Sequence, residues 1–140
     1  GTASLQRFKP NGRKVECRPL YQFRGQLGAM IAVAQFAEGE SVFRGLDDLR
    51  AEEPDGIEQV IECFETIGVH HGEMPDGIVL KGNSQYDGFD IANDLPAGLA
   101  GAFAVAGLRC MGTTTIADTT LIRRWPHFGD MLEMICEYRA

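Results

Sequence analysis

Two alanine-rich segments of similar pattern constrain the fold of this chain more than any other feature. Residues 26–38 contain Ala32-Val33-Ala34, and residues 97–110 contain Ala104-Val105-Ala106, 72 positions further along the chain. Both segments have apolar residues at helical spacing and hardly any polar face. Because a helix that is apolar nearly all round is normally buried, the sequence predicts two interior helices in matching places.

Other matches between the two halves extend this pattern. Gly39 recurs as Gly112 and Pro54 as Pro126. Each half reads as strand, buried helix, strand and amphipathic helix, and the first half adds a hairpin. A repeated unit of this size cannot bury its own apolar face alone. We therefore predict an N-terminal segment, residues 1–12, and a single α/β domain made of two βαβαββ-type units, residues 13–82 and residues 83–140, the second lacking its last two strands.

Turn and cap signals set the predicted element boundaries. Asn11-Gly12 predicts a hairpin turn, and Asp94 with Pro96 predicts an N-cap and a first-turn proline for the second alanine-rich helix, which Gly112 ends. Residues 127–138 are predicted to form a terminal amphipathic helix. Short strands are predicted at residues 14–19, 41–43, 69–73, 77–81, 89–92 and 113–116.

Residues 39–68 combine a strand signal with a strongly charged helix start. Residues 52–55 form an acidic turn, and the apolar residues that follow it, from Ile57 to Ile67, repeat at helical spacing. Carboxylates at a helix start are favourable in themselves, because they face unpaired N–H groups and the positive end of the helix dipole. A well-capped surface helix is therefore one interpretation of this stretch, and a functional turn is the other.

Composition and charge narrow the classes of function. The chain has 140 residues, 44% hydrophobic and 24% charged, with a formal net charge of −7. The negative charge argues against nucleic acid and anionic membranes as partners. We see neither an apolar run of membrane-spanning length nor a secretory leader, and we predict a cytoplasmic protein without cofactor or metal. The four cysteines, at positions 17, 63, 110 and 136, are predicted to be buried free thiols, and His70 and His71 to be surface residues.

The motif order of residues 39–68 resembles the stretch that carries K-E-S-D-R in the enolpyruvyl transferases, above all the EPSP synthase family. Glu53 and Asp55 stand at the family's Glu and Asp. The family's Lys is replaced by Glu52, its Ser by Pro54 and its Arg by Gly56. The resemblance runs from about Phe23 to Tyr138 and corresponds to the C-terminal part of such an enzyme.

Three further motifs of the family are degenerate here. The Asp that precedes the first alanine-rich helix falls at or near Gly25. The family's D-H-R appears as Asp94-Leu95-Pro96, so that its Arg is a proline. The basic residue of A-K-T-F-P-x-F appears as Arg123, with Arg124 beside it. A solvated turn is an equally open interpretation of Arg123 and Arg124.

The resemblance implies a fold, a reaction and a set of site residues. Family members have two domains of βαβαββ units with buried helices, and the active site lies in the cleft between the domains. They transfer an enolpyruvyl group from phosphoenolpyruvate to shikimate 3-phosphate. Glu53 is then the catalytic residue, and Asp55, Asp94, Arg123 and Arg124 bind substrate.

Three classes of function remain open at this point. In the first class, the chain is a segment of an EPSP-synthase-like enzyme whose remaining units lie on a missing part of the same chain or on another polypeptide. In that case we expect no catalysis by these 140 residues alone. Alternatively, it is a non-catalytic descendant that acts as a binding or regulatory domain. Finally, it is an assembly module whose open sheet edge pairs with a partner, such as a second copy of itself.

Overall fold

Short strands and helices alternate along the chain. In the computed structural model, the residues described are 9–18, 24–52, 55–92, 95–117 and 119–135. The strands are β1 (Lys14–Glu16), β2 (Glu40–Arg44), β3 (His70–Met74), β4 (Gly77–Lys81), β5 (Asp90–Ile91) and β6 (Thr115–Ile116). The helices are α1 (Arg24–Ala34), α2 (Asp47–Arg50), α3 (Gly56–Ile67), α4 (Ala97–Gly107), α5 (Thr119–Arg124) and α6 (Phe128–Glu133).

The strands form two sheets. One sheet has the order β1-β2-β4-β3, in which β1 is parallel to β2 and the other pairs are antiparallel. The second sheet has β5 parallel to β6. The hairpin predicted at Asn11-Gly12 is wrong for the described residues, because Asn11 bridges to Glu38 and β1 pairs with β2. A parallel partner needs a crossover, and α1 supplies it.

The same backbone contacts occur in both sheets, once in each half of the chain. Gly12 and Gly88 each lie against the backbone of a neighbouring segment, where a Cβ would come within 2.2 Å of Glu40 O and 1.9 Å of Thr113 O, respectively. Only glycine fits such an approach. Two hydrogen bonds of the first sheet have counterparts in the second: Gly12 N–H to Glu38 O (2.7 Å) with Gly88 N–H to Met111 O (2.5 Å), and Val42 N–H to Arg13 O (2.8 Å) with Thr115 N–H to Phe89 O (2.8 Å).

Helices α1 and α4 cross at very small residues. A Cβ on Gly28 would lie 3.1 Å from Gly98 O and 3.4 Å from Ala102 Cβ, so the two backbones are nearly in contact. The core packs against one side of this pair and contains fully buried side chains from both halves of the chain. The largest of them are Phe43, Phe64, Phe103, Ile31, Ile57, Ile78, Leu80 and Gln35.

Both alanine-rich helices are less buried and shorter than predicted. Val33 is 56% exposed and Val105 is 54% exposed, so one apolar face of the pair is uncovered. The helices end at Ala34 and Gly107 rather than near residues 38 and 110. Each continues into a tight turn with hydrogen bonds between residues three apart, such as Ala37 N–H to Ala34 O and Cys110 N–H to Gly107 O. Gly39 and Gly112 therefore follow these turns rather than ending the helices.

Other local predictions also need correction. Pro96 occupies the N-cap of α4 and supplies no side-chain acceptor, whereas Asp94 lies outside the described residues. In the terminal segment, helix α6 is shorter than predicted, and Met131 (61%) and Ile135 (73%) are exposed although Leu132 is buried. His71 is half-buried, and its ring contacts that of Phe64. Among the residues described, no helix combines the length and the apolar character needed to cross a bilayer.

Because Cys63 is buried, the stability of the fold depends on pH. Cys17 and Cys63 are buried free thiols, as predicted, whereas Cys110 is half-buried and Cys136 lies outside the described residues. Burial, with a smaller contribution from the neighbouring Glu62, raises the pKa of Cys63 to about 12. The unfolded thiol titrates near pH 8.5, so unfolding between these values releases a proton and stability falls as pH rises.

We expect the free energy of unfolding to fall by up to about 1.4 kcal/mol per pH unit through Cys63 alone, above pH 9. Urea unfolding at pH 8 and pH 10 measures this slope. Cys63→Ala should be less stable than the parent at pH 8, and its deficit should shrink at pH 10. If Cys63→Ala were less stable than the parent by the same amount at pH 8 and pH 10, the raised pKa of Cys63 would be contradicted.

Candidate functional site

A cavity of about 250 Å³ opens where the first turns of α1 and α4 meet the segment that joins α2 to α3. Its walls are mainly aliphatic. Among the lining residues that the structure describes, Glu52 carries the one ionisable side chain and Gln59 adds an amide. The lining residues are Leu27, Gly28, Ile31, Leu49, Glu52, Gly56, Gln59, Val60, Pro96, Gly98 and Leu99.

The helix crossing and a local contact shape this cavity. Gly28 and Gly98, which bring α1 and α4 together, both line it. Leu49 packs over Gly56, another lining residue, and a Cβ on Gly56 would lie 2.5 Å from Leu49 Cδ1. Leucine therefore fills the space that a side chain at position 56 would need.

An arginine holds the acidic turn beside the cavity in place. The Arg50 guanidinium donates hydrogen bonds to Asp55 Oδ2 (3.1 Å) and Glu73 Oε1 (2.5 Å). It also donates to Met74 O (3.1 Å) and Pro75 O (3.1 Å), in the β3–β4 hairpin. These carboxylates raise the pKa of Arg50, because hydrogen bonding and charge attraction both favour the cation. Arg50 thus ties the start of α3 to the hairpin.

Asp55 has a structural place in this arrangement. It is the N-cap of α3, and its Oδ1 accepts from Ile57 N–H (2.8 Å) and Glu58 N–H (3.3 Å) while its Oδ2 accepts from Arg50. Both carboxylate oxygens are therefore engaged within the protein. A role for Asp55 in substrate binding stays a prediction.

Comparison with known proteins identifies the family. The profile of EPSP synthase (3-phosphoshikimate 1-carboxyvinyltransferase) matches residues 22–132, most of the chain. The chain belongs to the EPSP synthase family. The family resemblance drawn from the motifs is confirmed, and so is the mixed α/β fold of the enolpyruvyl transferases.

Individual relatives give the extent of the match. The chain is 31% identical over 125 residues to the 3-phosphoshikimate 1-carboxyvinyltransferase of Sulfurihydrogenibium sp., covering 89% of this chain and 29% of the relative. The enzyme of the same name from Carboxydothermus hydrogenoformans is 35% identical over 111 residues, covering 77% and 26%. A solved structure of EPSP synthase from Acinetobacter baumannii superposes with a TM-score of 0.79 at 25% identity, covering 90% and 30%. The chain therefore spans about three tenths of its relatives' length.

In this EPSP synthase family member, the motif comparison made from the sequence predicts that three lining residues stand where the family's motifs carry cations, and this correspondence stays a prediction. Glu52 is at the position of the Lys in K-E-S-D-R, Gly56 at its Arg, and Pro96 at the Arg of D-H-R. The fold brings all three positions to one cavity although they are spread over 45 residues of sequence. The described lining of this cavity holds one carboxylate and neither Lys nor Arg.

The other predicted site residues lie elsewhere or outside the described residues. Arg123 and Arg124 are in the last turn of α5, both exposed, and neither lines the cavity. Trp125, the next residue, packs on α4, where a Cβ on Gly101 would lie 2.9 Å from its ring. Glu53 and Asp94 fall outside the described residues, and Gly25 lies in the first turn of α1. The proposed roles of these residues stay predictions.

Leu49, Arg50 and Gln59 lie within the motif stretch, residues 39–68, but sequence reasoning assigned none of them a role in this region. The role of Arg50 was not visible in the sequence, because its partners Glu73 and Pro75 lie more than 20 positions away. Leu49 and Gln59 are ordinary residues in helical segments, and only the fold shows that they face a cavity. Among the residues described, no group of three His, Cys, Asp or Glu side chains has the arrangement of a metal site.

Proposed function

We propose that this chain is the C-terminal segment of an EPSP-synthase-like enolpyruvyl transferase and that it does not transfer enolpyruvyl groups by itself. The reaction of the whole enzyme would convert phosphoenolpyruvate and shikimate 3-phosphate to 5-enolpyruvylshikimate 3-phosphate and phosphate, a step in aromatic amino acid biosynthesis. Family membership supports the reaction. The match to about three tenths of each relative supports the status of a segment.

The proposal that the chain is inactive alone rests mainly on one observation: the described lining of the cavity contains neither Lys nor Arg. Enolpyruvyl transfer brings two anionic substrates together and expels phosphate, so it needs fixed cations as well as an acid and a base. The described cavity offers Glu52 alone. Losing a general acid or base typically slows a reaction by about 10²–10⁴-fold, and missing cations add to that loss.

The exposed face of the α1–α4 pair supports the proposal that a further segment of polypeptide packs on it and completes the fold. Val33 and Val105 are each more than half exposed, on helices that carry almost no charge. Our proposal is that the remaining βαβαββ units cover this face and bring the other half of the cleft. It also treats residues 13–82 and 83–140 as two copies of one unit in a single domain, which the matched hydrogen bonds from Val42 to Arg13 and from Thr115 to Phe89 support. The buried free thiols of Cys17 and Cys63 favour a cytoplasmic location.

Two measurements test the proposal. Intact mass spectrometry of the natural protein should give a mass about three times the 15.3 kDa of this chain. Release of phosphate from phosphoenolpyruvate and shikimate 3-phosphate should be undetectable with the 140-residue chain alone. A natural protein of 15.3 kDa would exclude the proposal that this chain is a segment of a longer enzyme. Turnover by the isolated chain would exclude the proposal that it is inactive alone.

A second candidate is a non-catalytic descendant that keeps the fold and serves as a binding or regulatory domain. The reversal of charge at Glu52 favours it, because a site selected for anions would not keep a carboxylate at a cation position. A millimolar concentration of phosphoenolpyruvate, with and without shikimate 3-phosphate, separates the two. A ligand that binds the native state raises the melting temperature, so a shift favours a substrate role and its absence favours the descendant. Light scattering tests the remaining class, assembly through a second copy, which requires a dimer.

A further inference from the structure

We propose that the free edge of β6 binds an antiparallel β-hairpin from a part of the same protein outside these 140 residues. With this hairpin, the sheet of β5 and β6 becomes four-stranded like the first sheet. This inference rests on the proposed function, in which the chain is a segment of a longer enzyme. It names one element that the rest of that enzyme supplies.

Strand β6 occupies in the second half of the chain the place that β2 occupies in the first half. Each strand follows an alanine-rich helix and is parallel to the strand that precedes that helix. Each also follows a glycine with positive φ, Gly39 at 88° and Gly112 at 83°. When Gly39 is set against Gly112, Phe43 in β2 corresponds to Ile116 in β6.

The backbone of Ile116 faces the free edge of β6. Its two neighbours donate hydrogen bonds to the β5 side, Thr115 N–H to Phe89 O (2.8 Å) and Ala117 N–H to Ile91 O (2.8 Å). Because the N–H and C=O groups of successive residues in a strand point to opposite edges, those of Ile116 point away from β5. In the ranges that the structure describes, no strand pairs with this edge.

The equivalent edge of β2 is occupied by a hairpin. Phe43 pairs with Ile78 of β4, and β3 lies beyond β4. Phe43, Ile78 and Leu80 are all buried. Ile116 packs against the core but is only half-buried. A strand with apolar residues at alternate positions would cover Ile116 as β4 covers Phe43, and it would add apolar burial to a ladder of hydrogen bonds.

The shortness of β6 favours a hairpin over a second copy of this chain. A two-stranded sheet is marginal, and an open strand edge pairs readily with another strand. Strand β6 has two residues, so two copies of its edge would share few hydrogen bonds. Strand β4, in contrast, pairs with β2 over five residues and with β3 over five more.

Amide hydrogen exchange at Ile116, followed by two-dimensional NMR in the isolated chain and in the longer natural protein, tests the inference. We expect rapid exchange in the isolated chain and exchange at least about 100-fold slower in the longer protein, where a ladder hydrogen bond protects the amide. Phe43 N–H, which faces β4, is the internal control and should be protected in both. Nuclear Overhauser effects from the Hα atoms of Thr115 and Ala117 should reach Hα atoms of a segment outside the 140 residues.

A pair of variants separates strand pairing from side-chain packing. Ile116→Ala and Ile116→Pro both remove side-chain volume, but only the proline removes the N–H. In the isolated chain the two variants should melt within about 2 °C of each other, because this N–H has no partner there. In the longer protein Ile116→Pro should melt at least about 4 °C below Ile116→Ala.

Several results would overturn the inference. They are exchange at Ile116 that is equally fast in both proteins, exchange that is already slow in the isolated chain, and equal melting of the two variants in the longer protein. Protection that rises with the concentration of the isolated chain would assign the edge to a second copy and would also overturn it. Phosphate release by the longer protein is measured separately, so its absence rejects the proposed reaction alone. A natural protein of 15.3 kDa rejects the segment proposal and this inference with it.

Discussion

Replacing Phe64 with alanine is expected to lower the free energy of unfolding by about 3–5 kcal/mol. Phe64 is fully buried on α3. Its ring meets that of Phe103 on α4 edge to face, with centroids 6.4 Å apart, and that of His71 on β3 at 5.8 Å. Removing the ring leaves a cavity where α3, β3 and α4 meet, between the two halves of the chain. Urea unfolding followed by circular dichroism measures the loss.

Two further variants show that the effect belongs to the ring. Phe64→Leu keeps most of the volume and should cost less than about 1.5 kcal/mol, and Met131→Ala, at an exposed position, should change stability by less than about 0.5 kcal/mol. A double-mutant cycle with Phe103→Ala should give a coupling of about 0.5–1.5 kcal/mol. A loss below about 1 kcal/mol in Phe64→Ala would mean that the two halves do not pack as described.

Replacing Arg50 with alanine is expected to cost about 2 kcal/mol, although the residue lies at the surface. Its guanidinium makes four hydrogen bonds, two of them to carboxylates, and its side chain is 30% exposed. The substitution removes all four and leaves the N-cap Asp55 without its cation. We expect the start of α3 to loosen, which hydrogen exchange of the amides of Ile57 and Glu58 would detect.

The shape of the arginine, as well as its charge, is tested by Arg50→Lys. A lysine keeps one positive charge but cannot reach the two carboxylates and two carbonyls in one plane, so it should recover less than half of the loss. Arg18→Ala is the matched control, because Arg18 pairs with Asp47 at 3.7 Å in an exposed setting worth at most about 1 kcal/mol. If Arg50→Ala and Arg18→Ala were equally mild, the four hydrogen bonds would not fix the turn.

The sequence predicted the regular parts of this fold well. Helix α3 was recognisable because its apolar residues follow helical spacing and Asp55 is an N-cap residue, which the structure confirms. The β3–β4 hairpin was recognisable from the two short strand patterns at residues 69–73 and 77–81, which are separated by only three residues. The parallel pairing of β1 with β2 was missed, because Asn11-Gly12 has the composition of a hairpin turn, and only the fold shows that Gly12 is needed for close approach to Glu40.

The candidate site was less accessible to sequence reasoning. The family motifs drew attention to Glu52, Gly56 and Pro96 as lost cation positions, but their meeting in one cavity depends on how α1 and α4 cross. Sequence composition also suggested full burial of both alanine-rich helices. Exposure at Val33 and Val105 is set by what packs over the helix pair, which the local sequence of the two helices does not specify.

The crossing of α1 and α4 at Gly28 and Gly98 is made by backbone atoms. The residues at which the cavity differs from the family motifs, Glu52, Gly56 and Pro96, lie instead on a turn, at a helix start and at a helix cap. The crossing of the two helices is thus made by residues other than those at which the cavity differs from the family motifs. Natural variation, or a protein engineer, can therefore alter what this cavity accepts without rebuilding the helix pair that encloses it.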